Sequence, residues 1–403
     1  MVDGVPVIRA MLGRSRPAHR SAAPLRIGAA TPGLIALLSL GTAAHAQGAL
    51  REFRIGADPN VTIGGDETAE TTFFRVNRAW RLSSGAIAVV NAGSSEIRVF
   101  DARGAHLHSF GRKGEGPGEF QHVGWSGRFG DTAVVYDGNL RRISKILLGG
   151  TPRLLETVLV TVTDERMFEV AGRVADGRWL VRSQAIPDVN ARGVQRLPGH
   201  AGLIGADATG TVEWLAGAPH LSILVYNPSV NRQPATVVIA AFPSALVLTA
   251  SDSTVWLGDT SADTLVRIDA ATGARMTVRL PDPPAPLTKA IIDAARDREL
   301  SETRDPAARA VVEALYNESH LPKSLPAFQA LVAGLDGEIW VQRHAATRAA
   351  RAQYVVLSAN GNAVARVTVA PGFRVTDVGR DHVVGIHRDD DGVETIREYT
   401  LTR

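Results

Sequence analysis

The sequence predicts an all-β protein, a six-bladed β-propeller with a small helical-hairpin insertion. Three observations lead there: one strand pattern recurs six times, the shorter spacings between copies fit a four-stranded blade, and turn-forming residues are abundant. The recurring unit is a turn with Gly, Asp or Ser, three mostly bulky apolar residues, a variable residue and a usually polar one. Its copies are Ile87-Ala-Val-Val-Asn91, Ala133-Val-Val-Tyr-Asp137, Trp179-Leu-Val-Arg-Ser183, Val255-Trp-Leu-Gly-Asp259, Ile339-Trp-Val-Gln-Arg343 and Val383-Val-Gly-Ile-His387. They begin 46, 46, 76, 84 and 44 residues apart. A propeller blade of four strands occupies about 40–50 residues, so three intervals hold one blade each and two need insertions. The 39 Gly and 21 Pro supply the tight turns that many short strands require.

After most copies comes a second, alternating strand, as in Glu96-Ile-Arg-Val-Phe-Asp101, Thr264-Leu-Val-Arg-Ile-Asp269 and Gln353-Tyr-Val-Val-Leu-Ser358. The turns Ala102-Arg-Gly104, Ala271-Thr-Gly273 and Ala359-Asn-Gly361 then offer the positive-φ glycine of a hairpin. The last copy runs short, with one strand from Glu394 to Leu401 after the turn Asp389-Asp-Asp-Gly392. The segment Glu52-Phe-Arg-Ile-Gly56 is the spare expected to complete it, because a ring closed by strands from both ends leaves no open joint.

The 84-residue interval carries helical text from Thr288 to Leu300 and from Asp305 to Ser319, a hairpin inserted at about 287–320. In the second segment Asp305 is the N-cap, Pro306 stands at N1, and Ala307, Val311, Ala314 and Leu315 form one stripe. Either a cover for an apolar patch or a docking element for a partner fits that stripe. The 76-residue interval contains extra strand text, Leu221 to Tyr226 and Thr236 to Ala241, which suits an enlarged blade or a seventh one; six is the count expected.

The beginning of the chain differs in kind. Arg9, Arg14, Arg16, Arg20 and Arg26 precede a short apolar run, Pro32-Gly-Leu-Ile-Ala-Leu-Leu-Ser-Leu-Gly41, that ends in Ala44-His45-Ala46. This is the layout of a signal peptide, residues 1–46, with cleavage after Ala46 and Met11 as an alternative start. The apolar run is too short for a membrane span. A propeller over 47–403 then resides in the periplasm or is secreted, without a membrane span once the signal is removed, and is expected as a monomer. With no Cys, disulfides and thiolate metal sites are excluded, and so is a lipid anchor on a mature N-terminal Cys. Removing 1–46 leaves 39 basic and 40 acidic residues, so the basic balance of the whole chain belongs to the signal. No Lys/Arg stripe remains for nucleic acid.

At Phe110-Gly-Arg-Lys-Gly-Glu-Gly-Pro-Gly-Glu-Phe120 the chain resembles the six-bladed β-propellers of the NHL-like kind found in exported bacterial proteins. Leu325-Pro-Ala-Phe328 followed by Asp336-Gly-Glu-Ile-Trp-Val341, behind a helical insertion, resembles the same family. The resemblance implies a propeller over the whole mature chain, with the glycine stretch joining the outer strand of one blade to the inner strand of the next. It implies no settled activity.

Local signatures of chemistry are sparse. No helix follows the glycine stretch, so a blade-to-blade turn is a better reading of it than a phosphate cradle, although Arg112 and Lys113 could build an anion nest. His106 and His108 share one face of a strand without a third metal ligand. His387, Asp389, Asp391 and Glu398 fit a calcium-loop frame in spacing only, because His is a poor first ligand there. No metal ligand set and no cofactor is assigned. Neither Gly-x-Ser-x-Gly nor His-Glu-x-x-His occurs. The leading functional reading is a binding module that presents one propeller face to a protein, peptide or glycan of the cell envelope. Its competitor is a channel-centred metal-dependent lactonase or hydrolase resembling gluconolactonase-like propellers, and a third reading is a purely structural envelope domain.

The candidate ligand-binding residues follow from strand alternation, which places second-to-third-strand loops on the same face as blade-to-blade loops. Asn91, Asp137, Ser183, Asp259, Arg343 and His387 would ring the mouth of the channel there, joined by Arg112, Lys113 and Glu115.

Overall fold

The computed structural model describes residues 50–65, 68–162, 167–226, 236–345 and 350–403. The expected signal peptide, 1–46, lies outside the described residues. Antiparallel sheets dominate, and all six recurring segments are second strands of successive sheets: Ile87–Asn91, Thr132–Asp137, Trp179–Gln184, Thr254–Asp259, Ile339–Arg343 and His382–Arg388. Their apolar triplets are buried because both faces of each sheet pack on neighbours. Such strands therefore read as apolar runs rather than as alternation.

The inner strands Val76–Arg81, Val123–Phe129, Met167–Arg173, Leu246–Ser251, Phe328–Ala333 and Phe373–Val378 open these sheets, numbered one to six here in chain order. Each inner strand lies beside the next, and the strand of sheet six returns to that of sheet one. Apolar cores fill the spaces between consecutive sheets. Trp80, Val90 and Ile97 meet Phe120, Val135 and Ile146 between sheets one and two, for example, and Val384, Ile386 and Ile396 meet Val76, Ala79 and Val89 between sheets six and one. Trp80, Trp179, Trp256 and Trp340 are fully buried in these layers. Truncating one of them to Ala would cost about 3–5 kcal/mol, which makes the inter-sheet layers the main source of stability.

Ring closure differs from the sequence expectation. The fourth strand of sheet six is Val61–Ile63, paired antiparallel with Ile396–Glu398, and not the Glu52 to Gly56 segment. Arg51–Ile55 instead bridges two edges: it runs parallel to Ala365–Val367 of sheet five and antiparallel to Leu401 and Thr402 of sheet six. The reversal at Asp58-Pro59-Asn60 sets this up, with the Asn60 N–H donating to the Glu398 carbonyl at 2.7 Å and its Nδ2 to Thr400 Oγ1 at 3.0 Å. One N-terminal segment thus covers two exposed edges.

The extra strand text enlarges sheet three. Gly193–Ile204 and Glu213–Tyr226 run well past the end of the second strand at Gln184, and Thr236–Ile239 adds a fifth strand. The inserted helices, α1 (Lys289–Glu302) and α2 (Pro306–Leu315), begin at the N-caps Thr288 and Asp305, whose side chains accept from the N–H groups of Ile291 and Ala308. The second helix stops at Leu315, earlier than Ser319, and a 3-10 turn, Glu318–His320, follows. Its most buried residues are Val312 and Leu315, with Val311 and Ala314 beside them. They cover Leu224 and Val238 of sheet three, so the insertion shields an apolar patch.

Candidate functional site

The glycine stretch is a structural crossing. It leads from the outer strand His106–Phe110 of sheet one to the inner strand of sheet two. Gly118 has φ +78°, a conformation that favours glycine, and a Cβ on Gly114 would collide with the Glu119 carboxylate. The loop is fastened from below by Arg142, whose guanidinium donates to the carbonyls of Glu115 and Gly116 at 2.7 Å each and to that of Glu119. Arg98 does the same for the preceding connection, donating to the carbonyls of Glu70 and Thr72 at 2.9 and 2.8 Å.

The residues at the ends of the second strands divide into two groups. Asn91, Asp137 and Ser183 are buried. Asn91 Oδ1 accepts from the Phe74 N–H at 3.0 Å, and the Asp137 carboxylate accepts from the N–H groups of Gln121, His122, Asn139 and Leu140 at 2.6–3.1 Å. Asn91 and Asp137 are committed to the loops that frame the mouth, while Ser183 Oγ is buried without a hydrogen-bond partner among the described residues. Asp259, Arg343 and His387 are half-buried. Asp259 accepts from the Ser261 N–H at 2.9 Å, while Thr260 takes over the loop-holding task through the Ala245 N–H at 2.9 Å. Arg343 donates to the Pro283 carbonyl at 3.1 Å. Burial holds His387 below the usual imidazole range, with Arg397 adding to the effect. Of the glycine-loop residues, Arg112 pairs with Glu119 at 2.5 Å, Glu115 accepts from Gln121 Nε2 at 2.6 Å, and Lys113 lines a cavity.

That cavity, of about 730 Å³, opens where the inner strands of sheets six, one and two begin. Its wall carries Arg75, Lys113, His122, Arg374, Arg388 and Glu394. Ala92, Gly93 and Ser95, from the second-to-third-strand loop of sheet one, share the wall with Gln121 and His122 of a sheet-to-sheet connection, so both loop classes occupy one face. Among the described residues Glu394 is the single carboxylate of this wall, pairing with Arg388 at 2.6 Å and accepting from the Val76 N–H at 2.8 Å. Arg374 is enclosed by the channel yet open to solvent there, and its guanidinium donates to the Val76 carbonyl at 3.3 Å. Below it Arg78 spans the channel, from the Thr376 carbonyl at 3.0 Å to that of Ser126 at 3.4 Å. Desolvation lowers the pKa of both arginines, although a guanidinium stays charged throughout the working range. Phe74, 61% exposed, stands at the rim.

The sequence reading missed Phe74, Arg75, His122, Arg374 and Arg388. Most of them stand at or just before the start of an inner strand, and only an alignment of first strands would have brought them together. The repeat is strongest in the second strands, where burial imposes the pattern.

Deeper, towards the other end of the channel, Asp377 accepts from Arg128 at 2.9 Å and from the Arg81 N–H at 3.1 Å, and lies 3.8 Å from His382 Nε2. Burial opposes its charge, but His382, Arg128 and the Arg81 N–H outweigh burial and hold the carboxyl below its usual range. Among the described residues no three His, Asp or Glu side chains converge as a metal-binding group. His106 Nε2 is shared with Ser109 Oγ at 2.9 Å.

The ring of inner strands and the apolar layers between consecutive sheets decide the architecture. The fold is all-β and propeller-like. No family model matches this propeller-like chain and no curated protein sequence is similar to it. It is similar to the crystal structure of a member of the DUF4221 family from Bacteroides vulgatus, at 10% identity over 88% of this chain and 99% of that one, with a TM-score of 0.52. Lower scores relate it to regucalcin, a calcium-binding protein of Agrobacterium tumefaciens (12% identity, 88% and 97% covered, TM-score 0.41). Virginiamycin B lyase from Staphylococcus aureus follows (10% identity, 87% and 100% covered, TM-score 0.39). At such identities the likeness concerns fold alone. Among the described residues no helix is long and apolar enough to cross a membrane.

Proposed function

We propose that the mature chain is an exported six-bladed propeller of the NHL-like kind that works in the periplasm or outside the cell as a binding module, presenting its mouth to a protein, peptide or glycan of the envelope. The cavity among sheets six, one and two carries this reading. Its volume lies in the range of ligand pockets, about 300–1,000 Å³, and its wall combines an exposed aromatic ring with side chains that have spare hydrogen-bonding capacity. The loops around it are anchored by buried Asn91 and Asp137 and by Arg98 and Arg142, which favours a preformed site over one assembled on binding. The alternative, a metal-dependent lactonase or hydrolase, needs converging ligands in the channel, and the described residues offer no such group.

Affinity capture from an envelope extract with residues 47–403 tests the binding reading. A specific partner should be captured by the wild type and lost with Phe74→Ala/Lys113→Ala, whose two side chains lie on the surface of the mouth and whose thermal midpoint should stay near wild type. Capture that survives this double substitution would move the functional surface elsewhere, with the helical insertion next in line.

A further inference from the structure

Among the described residues, cations outnumber carboxylates in the wall of the mouth. Of the described residues, Arg75, Lys113 and Arg374 line the cavity as permanent cations, beside Arg388, which is paired with the carboxylate of Glu394. Arg78 adds a fifth cation beneath the floor, and the nearest channel acid, Asp377, is paired with Arg128. Arg374 and Arg78 are held through backbone carbonyls, which fix the direction of a guanidinium without cancelling its charge. Like charges brought together inside low-dielectric walls repel one another and focus a positive field on the opening. An anion entering there would gain from several cations at once. The remaining wall narrows the class of anion: Asn77, Gln121 and His122 both donate and accept, as sugar hydroxyls do, and the open face of Phe74 offers a platform of the size of a pyranose ring.

We propose that this mouth takes an acidic glycan, with the carboxylate of a uronic-acid unit lying over Arg374 and the sugar ring resting on Phe74. The inference rests on the binding reading above and names its ligand class. Arg374 orients the carboxylate, Arg75 and Lys113 draw it in from solution, and Asn77, Gln121 and His122 select hydroxyl positions.

Titration calorimetry of residues 47–403 with oligogalacturonate, a neutral malto-oligosaccharide and polyglutamate tests it. Oligogalacturonate should bind, with affinity falling as salt is raised, while the neutral sugar binds at least about tenfold more weakly and polyglutamate shows only weak, salt-screened attraction. Arg374→Met should reduce oligogalacturonate affinity at least about tenfold and Arg374→Lys by less, and neither should lower the thermal midpoint, since Met relieves repulsion with Arg78 and Arg388 and Lys leaves the charge at that position unchanged. A midpoint that falls in Arg374→Met would mark the side chain as structural and overturn its assigned role. Polyglutamate binding as tightly as oligogalacturonate would overturn the glycan class, and neutral sugar binding equally well would overturn the role of charge. Failure of oligogalacturonate to bind while an envelope partner is still captured through Phe74 and Lys113 would sink this inference and leave the binding reading standing.

Discussion

Asp137 shows how a polar residue at a strand end can mislead and still matter. Its sequence position suggests a rim residue, and removing it together with Asp259 would then abolish binding or any metal content at a nearly unchanged melting temperature. The structure reverses that expectation, because four backbone N–H groups from two loops converge on this buried carboxylate. Asp137→Ala should cost about 3 kcal/mol or more, since buried donors are left without an acceptor, and a urea unfolding curve would show it. An unfolding midpoint equal to wild type would mean that water replaces the carboxylate. A pH effect belongs to His382 at the other end of the channel. Burial lowers its pKa, but Asp377 and Asp381 raise it more, so the net shift is upward. A raised folded-state pKa stabilises the fold fully below the unfolded value, near about 6.5, and the gain is lost as pH rises through the folded value. Asp377, shifted downward, holds its contribution until far more acid conditions. The midpoint difference between wild type and His382→Gln should therefore be largest near about pH 5.5 and shrink by about pH 8.5. A difference that is flat across this range would show that His382 does not change protonation with folding.

Among the elements, the inserted helices are add-ons to the ring in chain order, since Arg275–Arg279 closes sheet four and Phe328–Ala333 opens sheet five. They are nonetheless packed, with Tyr316 Oη donating to Glu299 at 2.7 Å and meeting Phe242 edge-to-face at 6.1 Å between ring centroids. Replacing residues 288–320 with a Gly/Ser linker should leave cooperative unfolding intact and uncover Leu224, Val238 and Phe242, so that the shortened protein self-associates. Light scattering against concentration reads this directly. If the shortened chain unfolds without cooperativity, the helices belong to the core. Helix caps, a proline at N1 and an apolar stripe made these elements legible in the sequence. Their docking ground was not, because Leu224 and Val238 lie far upstream in the chain.

At the scale of the whole molecule, stability depends on closing the circle of sheets, and the N-terminal segment does so twice. Deleting residues 47–57 removes the bridge formed by Arg51–Ile55 but spares Val61–Ile63, whereas deleting 47–65 removes both and bares the edge of the C-terminal strand. The longer deletion should cause a much greater loss of stability and promote aggregation, as unpaired edges do. Equal midpoints for the two truncations would show that Val61–Ile63 contributes little. The sequence by itself determined the all-β class, the recurring second strands, the helical insertion and the glycine crossing at 110–120, because burial on both faces, N-caps and positive-φ glycines act on neighbouring residues and leave local marks. Only the tertiary structure decided that Val61–Ile63 completes sheet six, that Asn91 and Asp137 face inward, and that Arg75, Lys113, Arg374 and Arg388 surround one cavity. Pairing register and charge convergence join residues some 300 positions apart, such as Val76 and Glu394, and no local pattern records such a meeting.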